Sequence, residues 1–99
     1  MDGMSEEEYL DQLNQQKHMY CWCLINVGDF SLIKAKEEAD KFYKYEPQTE
    51  EYRWLIFHED AWHCAMIKIY GEKYWLKDPS LRIESNEYDR EWKNYNGAN

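Results

Sequence analysis

The chain has 99 residues, of which 43% are hydrophobic and 17% aromatic, and 12 basic residues against 20 acidic ones give a formal net charge of -8. This length suits one domain spanning residues 1–99, and the aromatic fraction is high enough for a packed core. The charge argues against direct binding of DNA or RNA, because an acidic surface repels phosphate groups. We therefore expect a positively charged protein partner.

The chain carries no sequence signal for a membrane span or for secretion. No apolar run approaches the ~18 residues that a span needs, and the acidic start MDGMSEEEYL lacks the basic and apolar regions of a signal peptide. We therefore expect a cytoplasmic protein. Its three cysteines, Cys21, Cys23 and Cys64, are an odd number, which favours free thiols in a reducing compartment.

The first element is a helix that begins with a capping box. Ser5 is the expected N-cap and Glu8 the expected third helical residue, which predicts a helix from about Glu6 to Gln16. Residues 19–27 (MYCWCLINV) are then apolar throughout and end at Gly28-Asp29. Such a run is typical of a buried strand or of a short buried helix, and periodicity does not separate the two.

A second helix is predicted between Ser31 and Glu46. Apolar residues recur there at helical spacing, and Pro47 closes the segment. The apolar positions are Leu32, Ala35, Ala39 and Phe42.

Three strands are predicted next, at residues 52–58, 62–70 and 73–77. Gly71-Glu72 suits a type II′ turn between the last two, so an antiparallel meander is expected. A C-terminal helix follows, with Ser85 or Asn86 as N-cap, and it ends before Asn96-Gly97. The predicted fold class is a two-layer α+β domain, in which two to three helices pack on a small antiparallel sheet of three to four strands.

The hairpin would bring a histidine and a carboxylate together. If Gly71-Glu72 is the two-residue turn, Ala65 pairs with Asp78, and His63 lies diagonally from Asp78 with ~7–8 Å between Cα atoms. The pair then forms a His/Asp dyad. The alternative interpretation is a polar pair at the rim of an ordinary hairpin, since Asp-Pro is a common turn dipeptide.

A histidine that starts a strand, a glycine turn, and then an aromatic residue, an aliphatic residue and Asp-Pro resemble part of the papain-like cysteine peptidase folds. These folds include bacteriocin-processing peptidases, Josephin domains and transglutaminase-like enzymes. The resemblance implies Cys21 as thiolate nucleophile, His63 as base, Asp78 as the residue that orients the imidazole, and Gln16 as oxyanion donor. A minimal cysteine hydrolase or acyl transferase is the alternative function.

Zinc is a further alternative, because Cys21 and Cys23 lie close together and His63 is followed by Cys64. On a strand, however, His63 and Cys64 would point to opposite faces, and no second close Cys/His pair completes a tetrahedral site. We therefore expect no metal and no cofactor, with the cysteines buried in the core.

Five tryptophans and nine tyrosines exceed what a core of this size readily hides, so some should be exposed beside carboxylates. The candidate contact residues are the tip at Glu59 and Asp60 with Trp62, and three acids on the last helix, Glu87, Asp89 and Glu91. The alternative interpretation of each acidic run is a solvated helix face.

In size and character the chain is similar to immunity proteins of bacterial toxins and to phage-encoded inhibitors of host nucleases, including anti-CRISPR-type inhibitors and nucleic-acid mimics. The favoured function is that of a non-enzymatic acidic protein that inhibits or neutralises a basic partner. That partner would be a nuclease or a nucleic-acid-binding protein in the cytoplasm of a bacterial or phage-infected host cell.

Overall fold

The computed structural model describes residues 5–95, which form α-helices, 3₁₀ helices and connecting turns. No strand occurs in this part of the chain, so the predicted α+β fold with an antiparallel sheet is wrong. The elements in chain order are α1 (Glu6–Asn26), α2 (Leu32–Phe42), a first 3₁₀ helix (Arg53–His58), α3 (Ala61–Tyr70), the short α4 (Tyr74–Lys77), a second 3₁₀ helix (Pro79–Arg82) and α5 (Asn86–Tyr95).

Helix α1 begins with the predicted capping box. The Glu8 amide donates to Ser5 Oγ at 3.1 Å, and the Ser5 amide donates to Glu8 Oε1 at 2.9 Å. The helix continues through residues 19–26, beyond the predicted end at Gln16. Since α1 packs against α2, α3, α5 and the first 3₁₀ helix, its second half is buried on several sides. The packing on several sides explains why residues 19–27 are apolar apart from the exposed Asn26.

Helix α2 confirms the second predicted helix, although it ends at Phe42 instead of continuing to Glu46. Ser31 is the N-cap, and its Oγ accepts from the Lys34 amide at 3.1 Å. The small residues Ala35 and Ala39 are buried against the rest of the core. Their size allows α2 to approach its neighbours closely.

The three predicted strands are all helical, and the predicted meander is therefore wrong. Residues 53–58 form a 3₁₀ helix, residues 61–70 form α3, and residues 74–77 form the single turn of α4. Gly71 is the C-cap of α3 at φ 98° and is not part of a hairpin turn. The error has a physical cause: α3 buries residues on most of its surface, so its sequence lacks the apolar and polar stripes that mark an amphipathic helix.

Helix α5 confirms the predicted C-terminal helix. The Tyr88 amide donates to Ser85 Oγ at 3.1 Å, which caps the first turn. The end signal Asn96-Gly97 lies outside the described residues. Within residues 5–95, no helix combines the length and the apolar composition that are needed to cross a bilayer.

Candidate partner-binding site

Two groups of acids that are distant in sequence meet where α5 packs against the start of α3. The contact is made by Tyr88, which is buried and whose ring lies 5.3 Å from that of Trp62, centroid to centroid. The Tyr88 hydroxyl donates to Asp60 Oδ1 at 3.2 Å. This bond holds the carboxylate of Asp60 beside the first turn of α5, where Glu87 and Asp89 lie.

Glu84 completes this site. Its carboxyl group is hydrogen bonded to that of Asp60, which raises the pKa of Glu84 to about 7; partial burial and the negative charges of Asp60 and Asp89 act in the same direction. Because two carboxyl groups this close cannot both ionise without strong repulsion, Glu84 holds its proton more tightly than an isolated glutamate does. We call Asp60, Glu84 and Asp89 the carboxyl cluster.

Sequence reasoning did not identify Glu84 as a site residue. It precedes the predicted N-cap of α5 and belongs to no charge run, so no spacing pattern marks it. Only the docking of α5 through Tyr88 brings the residue to Asp60. Asp60 itself is the N-cap of α3, but its side chain makes no capping hydrogen bond within that helix.

The other predicted contact residues lie in different surroundings. Glu59 Oε1 is 3.7 Å from His63 Nε2, and Glu91 Oε2 is 2.5 Å from His18 Nε2 on α1. Trp62 is only 4% exposed, and its Nε1 donates to the Leu81 carbonyl at 2.7 Å, so it packs in the core and is not a surface anchor. Of the predicted contacts, the structure therefore places Asp60 and Asp89 in the carboxyl cluster.

His63 and Asp78 each have a different hydrogen-bond partner. His63 Nδ1 is 2.7 Å from the Tyr74 hydroxyl. Asp78 Oδ1 instead accepts from the Ser80 amide at 3.2 Å and from the Ser80 hydroxyl at 2.6 Å, which caps the second 3₁₀ helix. The predicted pairing of His63 with Asp78 required a β-hairpin. This part of the chain instead forms α3, α4 and the turn between them.

Cys21 and Gln16 both lie within α1. Because an α-helix turns ~100° per residue, positions 16 and 21 point in directions that differ by about 140°. Burial raises the pKa of the Cys21 thiol, and the charges that act on it come from Lys36 and Asp40 of α2. A nucleophilic cysteine needs the opposite shift, toward thiolate.

The cysteines are all free thiols. Burial raises the pKa of Cys23 strongly and that of Cys64 to about 11, which disfavours the thiolate form that metals bind. Within residues 5–95, no group of three or more His, Cys, Asp or Glu residues is arranged to hold a metal ion. His63 and Cys64 are consecutive on a helix, so the argument from opposite strand faces does not apply.

Comparison of the chain with protein-family models, with curated proteins and with solved structures found no match.

Proposed function

We propose that this chain is a non-enzymatic acidic protein that binds a basic protein partner and inhibits or neutralises it. The observation that carries the proposal is the carboxyl cluster, where the Tyr88 hydroxyl holds Asp60 at 3.2 Å and the hydrogen bond to Asp60 raises the pKa of Glu84 to about 7. A lysine or arginine from a partner would replace the proton of Glu84 and relieve the repulsion between the carboxylates, since charge-assisted hydrogen bonds to carboxylates are strong.

The chain's own cations support this proposal, because several are engaged by internal carboxylates. Arg53 Nη2 is 2.8 Å from Glu6 Oε1, and Lys17 Nζ is 3.4 Å from Asp40 Oδ1. Three lysines surround Glu38, namely Lys34, Lys41 and Lys68. With a net charge of -8, the remaining acids give the surface a negative potential that attracts and steers a basic protein.

The partner class that fits this surface is a nuclease or a nucleic-acid-binding protein, because such proteins carry basic surfaces that bind phosphate groups. The chain would occupy that basic surface in place of nucleic acid. We place this interaction in the cytoplasm of a bacterial or phage-infected cell.

The test is retention of proteins from nuclease-treated bacterial lysate by the full-length chain. The triple variant Asp60→Asn, Glu84→Gln, Asp89→Asn removes the carboxyl cluster. The matched control Glu7→Gln, Glu37→Gln, Glu72→Gln neutralises three exposed acids elsewhere. We expect the chain and the control to retain a basic protein that the triple variant loses, with an association rate that falls steeply as salt is added.

The retained protein is then purified, and its nuclease or nucleic-acid-binding activity is measured with and without the chain. Loss of that activity on addition of the chain supports the proposal. Retention of only neutral or acidic proteins contradicts it. If a basic protein is retained equally by the chain and the triple variant, the function stands and the carboxyl cluster is not the contact.

A further inference from the structure

Residues 45–60 carry a second surface, and Asp60 at the end of this segment is its only residue in the carboxyl cluster. This segment holds five acids against one arginine, Arg53. It also contains a group of exposed apolar and aromatic side chains: Tyr52 is 62% exposed, Leu55 48% and Trp54 41%. An exposed aromatic group within a strongly acidic segment is unusual for a surface that only faces water.

Arg53 fixes this segment against α1. Its guanidinium is hydrogen bonded to the Glu46 carbonyl at 3.0 Å, lies 2.8 Å from Glu6 and sits 3.8 Å from the centre of the Tyr9 ring. Its side chain is only 9% exposed. The one arginine of the segment therefore points inward, and its positive charge is matched by Glu6.

The 3₁₀ geometry explains why Tyr52 and Leu55 point outward, while Phe57 of the same helix packs against the core. A 3₁₀ helix has three residues per turn, so Arg53 and Ile56 share the inner face while Tyr52 and Leu55 share the outer one. Ile56 packs against the core, in agreement with this assignment. Trp54 lies between the faces, with its ring centroid 6.5 Å from that of Tyr52 and 5.2 Å from that of His58.

We propose that Tyr52, Trp54 and Leu55, flanked by Glu50 and Glu51, form a docking surface for an arginine-rich segment of a basic protein. The proposal rests on the proposed function and adds the contact that recognises arginine. A guanidinium stacks on the Trp54 or Tyr52 ring through a cation–π interaction, and the carboxylates of Glu50 and Glu51 accept its N–H groups. Leu55 packs against the aliphatic part of the same side chain.

Charge complementarity selects this occupant over others. A nucleic acid or an anionic membrane would meet the carboxylates of residues 45–60 and be repelled. A second copy of the chain also has a net charge of -8, so self-association through this surface opposes like charges. Because Arg53 holds the segment in place before binding, little conformational entropy is lost when the partner docks.

The test uses synthetic peptides of about twelve residues that alternate glycine with arginine, lysine or glutamate, since arginine stacks on aromatic rings better than lysine does. Binding to the full-length chain is measured by titration calorimetry and by the shift of the Trp54 indole N–H signal, which the Trp54→Phe variant identifies. The variants are Trp54→Ala, Tyr52→Ala and the pair Glu50→Gln, Glu51→Gln. The control Leu76→Ala removes an exposed apolar residue of α4.

We expect the arginine peptide to bind more tightly than the lysine peptide and the glutamate peptide not to bind. Trp54→Ala and Tyr52→Ala should each weaken arginine-peptide binding about threefold to tenfold, with Leu76→Ala unchanged. If Trp54→Ala does not fold, as judged by circular dichroism, the more exposed Tyr52 gives the same test.

Equal binding by the chain and the aromatic variants, or no binding of the arginine peptide, overturns the docking surface. The proposed function is judged separately by the lysate retention. A basic protein retained there while the aromatic variants bind the peptide normally leaves the function standing and removes only this surface.

Discussion

Lys68 Nζ lies 3.0 Å from Glu38 Oε1, and this pair joins α3 to α2. Glu38 Oε2 is also 3.0 Å from Lys34 Nζ and 3.6 Å from Lys41 Nζ. The hydrogen bond from Lys68, followed by that from Lys34, lowers the pKa of Glu38 to about 2. One nearly buried carboxylate of α2 thus forms ion pairs with lysines of both α2 and α3.

Glu38→Gln should lower the melting temperature at neutral pH more than the control Glu37→Gln, which changes an exposed acid of the same helix. The folded-state pKa of Glu38 lies below its ordinary value of 4.5, so its stabilisation is present above pH 4.5 and is lost as the pH falls through about 2. Thermal unfolding from about pH 7 to pH 2 checks this. A Glu38→Gln deficit that persists at the lowest pH contradicts the assignment.

Glu84→Gln should stabilise the fold at alkaline pH, whereas Glu38→Gln should destabilise it at neutral pH. The folded-state pKa of about 7 lies above the ordinary value of 4.5, so the folded chain holds a proton that the unfolded chain has released. Stability is therefore lost as the pH rises from 4.5 to about 7. Because Glu84 is exposed enough for solvent to screen the repulsion, the variant should gain at most on the order of 1 kcal/mol at alkaline pH.

The measurement is the difference in melting temperature between variant and parent at about pH 5 and about pH 8. Glu87→Gln, an exposed acid in the first turn of α5, is the matched control and should show no such difference between the two pH values. A Glu84→Gln difference that is constant across this range would mean that the contact with Asp60 does not raise the pKa of Glu84.

Cys21 should react slowly with iodoacetamide at neutral pH, because burial raises its thiol pKa above the ordinary value of 9.0. His63→Ala should leave the alkylation rate of Cys21 unchanged, because the His63 imidazole is hydrogen bonded to the Tyr74 hydroxyl and not to Cys21. The rate is followed by mass spectrometry, with Cys21→Ser to identify the modified site. Fast alkylation below about pH 6 that disappears in His63→Ala would favour the cysteine hydrolase instead.

Gly28→Ala should destabilise the fold by about 1–3 kcal/mol, because the added methyl group overpacks the contact between α1 and α3. A Cβ at this position would lie 2.8 Å from Ile69 Cγ1 and 2.9 Å from the Leu24 carbonyl oxygen. Denaturant unfolding gives the cost, and the same substitution in an Ile69→Ala background should cost less. An equal cost in both backgrounds would show that the Ile69 side chain is not the obstacle.

The sequence by itself determined the helices that carry their own start signals. Ser5 with Glu8, Ser31 and Ser85 each satisfy backbone amides of the next turn, and these local hydrogen bonds depend on a few adjacent residues. The negative charge and the exposure of some aromatic residues also followed from composition.

Only the tertiary structure decided residues 19–27 and 52–77. In these stretches apolar residues face neighbours on several sides, and a continuous apolar run fits a buried helix as well as a strand. The carboxyl cluster also depends on the tertiary structure, because Glu84 reaches Asp60 only when α5 packs in place through Tyr88. Arg53 likewise points inward because Glu6 and Tyr9, far away in the sequence, provide its partners.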